Sequence, residues 1–68
     1  MNLNSVPPEL IGIIQSSTIS DVDKGAINTY FANLDDGTRP DVMREIRVRG
    51  NWQDKIKFCL EKAKAAGY

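Results

Sequence analysis

The stretch Ser20-Asp-Val-Asp-Lys-Gly-Ala-Ile-Asn-Thr-Tyr-Phe-Ala-Asn-Leu34 decides the fold class. Its apolar residues are Val22, Ala26, Ile27, Tyr30, Phe31 and Leu34, which recur at spacings of three and four. At about 100° per residue they cover about half the circumference of a helix, a stripe broad enough to be the centre of a core. Two caps precede it: Thr18 has Asp21 three residues on, and Ser20 has Asp23. Both resemble a capping box with Asp in place of Glu or Gln, and carboxylates at that end suit the helix dipole. The stretch predicts a helix over residues 20–35, stopped at Asp35-Asp36-Gly37, where Gly37 is expected to take the left-handed closing conformation.

Upstream, Pro7-Pro8 punctuates the chain. Pro7 is pushed out of helical space by the proline after it, while Pro8 suits a first helical position. A short helix over 8–17 follows, with Glu9 in its first turn and Leu10, Ile11, Ile13 and Ile14 making it apolar nearly all round. Gly12 in mid-helix costs about 1 kcal/mol relative to Ala, and the expected compensation is close approach of another helix. Residues 1–6 are expected to be a frayed polar lead-in.

Downstream, Arg39-Pro40 repeats the proline logic and opens a helix over 40–49, with Val42, Met43 and Ile46 on one face and Gly50 closing it. Asn51 caps the last helix, 52–66, with Asp54 three residues on. Its inner stripe is Trp52, Ile56, Cys59, Leu60 and Ala63. The only strand-like alternative, Ile46 to Val48, is too short to compete. The expectation is an all-α fold: a compact single domain of four short helices.

At 68 residues the chain has room for one domain with a marginal core. Hydrophobic content of 41% against 26% charged residues is globular rather than disordered. There is no histidine and one cysteine, which removes the internal disulfide, the usual zinc sites and histidine acid–base chemistry. Cys59 lies on an apolar stripe, no glycine-rich phosphate loop occurs, and the serines lack a base. The expectation is a non-enzymatic protein without a cofactor. The longest apolar run, Leu10 to Ile14, is far too short to span a bilayer, and no signal-type segment is present. A cytoplasmic location is expected, the host cytoplasm if the chain is phage-encoded, with no membrane partner.

Net charge is zero, but the halves differ. Residues 1–38 set Lys24 against Glu9, Asp21, Asp23, Asp35 and Asp36, a net −4. Residues 39–68 set eight basic residues against four acidic ones, a net +4. Such asymmetry marks either an anionic partner or attraction between the two halves.

Asp21 to Phe31 resembles a calcium-binding EF-hand or dockerin loop if one deletion is allowed, aligning Asp21, Asp23, Gly25 and Ile27. The deletion removes the fifth-position ligand, and Phe31 stands where the bidentate carboxylate belongs. A helix start with acidic caps accounts for the same residues, so no metal site is assigned. Ile27, Tyr30, Gly37, Arg39-Pro40 and Val42 to Ile46 resemble one part of phage-repressor-type helix-turn-helix domains, over about a third of the chain. That resemblance implies DNA binding. Its departure is upstream, where residues 17–27 leave no room for a scaffold helix and a turn.

Arg44 and Arg47 are neighbours on the third helix, and Arg49, Lys55 and Lys62 extend a basic patch if the last two helices lie side by side. Glu45, Asp54 and Glu61 interrupt it. On a wheel drawn from Trp52, Phe58 falls at about 240°, off the inner stripe and beside Lys55 and Lys62. An aromatic there either packs under another helix or stands out as a contact anchor, and Trp52 at the helix start has the same ambiguity. The expected function is binding of a protein partner, as an inhibitor, adaptor or regulatory subunit. The contact residues are Arg44, Arg47, Arg49, Lys55, Phe58 and Lys62, with Phe58 as anchor. The alternative is DNA or RNA binding through the same basic side. Homo-oligomerisation through the last helix fits the small core equally well.

Overall fold

A computed structural model describes residues 2–68. The chain folds as four helices: α1 (Pro8–Ser16), α2 (Asp21–Ala32), α3 (Arg39–Arg47) and α4 (Trp52–Ala65). No strand occurs among the described residues, and no helix is long and apolar enough to cross a membrane. The all-α single domain is as expected.

The helices start where the caps place them. The Ser20 hydroxyl accepts a hydrogen bond from the Asp23 amide at 3.1 Å, and the Asn51 side chain accepts from the Asp54 amide at 2.8 Å. Each satisfies one of the free N–H groups of a first helical turn. The ends differ from expectation. α2 stops at Ala32 rather than 35, because side chains take over its last carbonyls: Asn33 donates to Thr29 O at 2.9 Å and Arg39 donates to Phe31 O at 3.0 Å. Gly37 does not close the helix in the left-handed region, and Gly67, with φ of 91°, is the only described residue found there. Asp35 instead accepts from the Thr38 amide at 3.0 Å, and its carbonyl accepts from the Arg39 amide, so α3 begins one residue early, at Arg39. The other helices end one or two residues short of the expected 17, 49 and 66, within ordinary fraying.

Phe31 and Ile27 of α2 are fully buried, and Tyr30 meets Phe31 edge to face with centroids 5.4 Å apart. Around them lie Leu10 and Ile14, Val42, Met43 and Ile46, and Ile56, Cys59 and Ala63. α1, α2 and α3 each pack on α4, which makes the last helix the structural hub around the core that α2 fills. Val22 departs from the stripe: it is 80% exposed. Gly12 departs as well, since a Cβ placed there would meet nothing within 4 Å, and no close helix approach explains it.

The frayed lead-in is a further correction. Leu3 and Val6 are buried members of the core. A turn brings the Val6 amide to Leu3 O at 3.1 Å, and the Ser5 amide donates to the Asn28 side chain of α2 at 2.9 Å. With so few helical positions available, a 68-residue domain draws these two side chains into its core as well. Of the expected lead-in, Met1 lies outside the described residues.

Candidate functional site

The predicted basic residues are brought together only in part: Arg49 and Lys62 meet at the Phe58 ring, Arg47 and Lys55 both act on Glu9, and Arg44 pairs with Asp41 of its own helix. Arg47 Nη2 bonds Glu9 Oε1 of α1 at 2.7 Å, with Nε 3.4 Å from Oε2. The hydrogen bond from Arg47 holds the Glu9 carboxyl below its ordinary range and raises Arg47 in return. Arg44 lies 3.3 Å from Asp41. Arg49 donates to the Glu45 carbonyl and lies 3.5 Å from its carboxylate. Lys55 donates to the Ile46 carbonyl at 3.3 Å, near the C-terminal end of α3.

Phe58 is a core residue, 8% exposed, and the anchor expectation is corrected. The reason is Arg49, whose guanidinium carbon sits 4.0 Å from the ring centroid, with Lys62 Nζ at 5.5 Å. Cations placed over an aromatic face are attracted to its negative quadrupole while their aliphatic stems exclude water. Of the cluster predicted as a contact surface, Arg49 and Lys62 form a lid over Phe58, while Arg44, Arg47 and Lys55 hold other partners.

Cys59 is buried, and burial pushes its thiol up to about 11, which disfavours the nucleophilic thiolate. Asp21 and Asp23 stand in the first turn of continuous helix rather than in a calcium-type loop. Among the described residues no three acidic or thiol side chains converge as metal ligands.

The surface feature that sequence reasoning missed is centred on Trp52. This residue is 51% exposed at the start of α4. On one side an open groove of about 460 Å³ runs along α4, with Ile19, Ile56 and Leu60 among its walls and Lys57, Glu61 and Lys64 on its rim. A second depression of about 320 Å³, against Gly12, Ile13 and Ser16 of α1, also has Trp52 as a wall. Ile13, Ile19 and Leu60 are only half-buried, so the apolar lining continues past the core. The legible signal was the repeat of Trp52, Ile56, Leu60 and Lys64 every four residues along one helical line. What hid the groove was the loop at 17–19, whose placement beside α4 depends on tertiary packing.

The charge asymmetry stays largely on the surface. Among the described residues, one ion pair joins the acidic half to the basic half, Glu9 to Arg47. Asp21, Asp23, Lys57 and Lys64 form none. Comparison with known protein families, with curated proteins and with solved structures finds no match to this chain.

Proposed function

We propose that this is a small non-enzymatic binding protein that acts through a protein surface seated in the Trp52 groove, as an inhibitor, adaptor or regulatory subunit would. The observation that carries the reading is a half-exposed tryptophan shared by two adjoining apolar depressions. Large aromatics at the centre of a contact, ringed by polar residues, supply much of the energy of protein association. A groove along a helix suits an amphipathic helix, whose apolar face fills it at positions three and four apart. The rim lysines favour a partner with carboxylates flanking that face.

The basic side of α3 and α4 supports this role less well than the groove does. Its arginines already hold carboxylates or an aromatic ring, and its aromatic is covered. The same commitments weigh against the nucleic-acid alternative.

Trp52 is the only tryptophan, so its emission reports the groove alone. The test is titration with a helical peptide bearing a leucine stripe and a glutamate rim, beside a lysine-rimmed counterpart. The expected result is a saturable shift to shorter wavelength with the first peptide. Trp52→Ala should weaken binding of the labelled peptide by at least about tenfold, with unchanged thermal midpoint. No saturable change with either peptide would reject the groove as a protein-binding site.

A further inference from the structure

We infer that the occupant of the Trp52 groove is a second copy of this chain, seated through the Asp21-Val22-Asp23 start of α2; the inference rests on the groove being a protein-binding surface. Val22 is the most exposed large hydrophobic residue described and has a carboxylate on either side. Packing of its own fold does not require it there. The groove is the complement: apolar walls from Trp52, Ile19 and Leu60, with Lys57 and Lys64 at the rim. Glu61 shares that rim, so its excess is one positive charge and the two lysine positions direct the pairing.

The spans agree. Lys57 and Lys64 are seven residues apart on α4, about 10 Å along its axis. Asp21 and Asp23 are turned about 100° to either side of Val22, on opposite flanks of a helix roughly 10–12 Å across. Ile19, in the groove wall, precedes Val22 by only three residues, so knob and groove share one end of the molecule. A two-fold axis therefore seats both knobs in both grooves at once, an isologous contact that closes at the dimer. It also sets Asp21 and Asp23 of each copy against Lys57 and Lys64 of the other, charges that are unpaired within the monomer among the described residues.

Sedimentation equilibrium at low salt, from micromolar to millimolar protein, tests the dimer. The expected wild-type result is a monomer rising to twice its mass, with Trp52 emission moving to shorter wavelength over the same range. Val22→Glu should weaken association at least about tenfold, through loss of apolar burial and added repulsion, without altering helicity. Lys57→Glu/Lys64→Glu and Asp21→Lys/Asp23→Lys should each be monomeric alone and associate when mixed, because both contacts are then restored in the mixed dimer. A wild type that stays monomeric overturns the inference; if its Trp52 emission still responds to the glutamate-rimmed peptide, the groove reading survives without it. A dimer indifferent to Val22→Glu places the contact on another surface and rejects the proposal.

Discussion

Phe58 shows how a single side chain can be placed correctly on a wheel while the wheel leaves its burial open. It is off the inner stripe of α4, as its position predicts, yet it is buried because Arg49 crosses over its ring. Helical periodicity reports which residues share a face, and a cation arriving from the segment after α3 does not enter that pattern. Phe58→Ala should therefore destabilise the fold by about 3 kcal/mol, the cost of a large-to-small change in a core. Urea unfolding followed by far-UV circular dichroism measures this. An unchanged midpoint would show that the ring contributes nothing to the core. Trp52 is the converse case. It lies on the inner stripe yet stands at the first turn, where partial exposure was the open alternative, and α1 leaves one side of it open. Residues at helix starts are the ones for which the wheel says least about burial, because neighbouring loops decide it.

At the scale of elements, the helices themselves were legible, and the one end that departs beyond ordinary fraying is that of α2. Ser20, Asn51 and Pro8 mark starts through local chemistry that a sequence displays. The end of α2 depends on Arg39 reaching back to the Phe31 carbonyl, a contact between residues eight apart that no local rule anticipates. The order of the lead-in is hidden for a related reason: Leu3 and Val6 have no periodic pattern to announce them, and their burial follows from docking on α2 through Asn28. Leu3→Ala should cost about 2–4 kcal/mol in chemical denaturation, whereas a frayed tail would lose almost nothing. The bond between α1 and α3 has a pH signature. The folded-state pKa of Glu9 is depressed by Arg47, so its contribution is present above the ordinary carboxylate range and fades as pH falls through the lowered value. Asp35, held down by its hydrogen bonds to Thr38, acts with the same sign. Thermal midpoints between about pH 5 and pH 2 should fall less steeply for Glu9→Gln than for the wild type.

For the molecule as a whole, the segregation of charge along the chain was plain from the sequence, while its disposition in space was not. Arginine side chains that looked free for phosphate are held by Glu9, Asp41 and Glu45. Labelled random duplex DNA should accordingly show no anisotropy change at low salt up to tens of micromolar protein; binding that falls steeply with salt would restore the basic side as a functional surface. The arrangement of helices carries a different consequence. Because α1, α2 and α3 all pack on the last helix, the first fifty residues lack their main packing surface until that helix exists. Helices of 9, 12 and 9 residues are too short to persist alone in water. A ribosome making residues 1–51 thus holds an essentially unstructured polymer, and tertiary structure follows only once the α4 segment has been released.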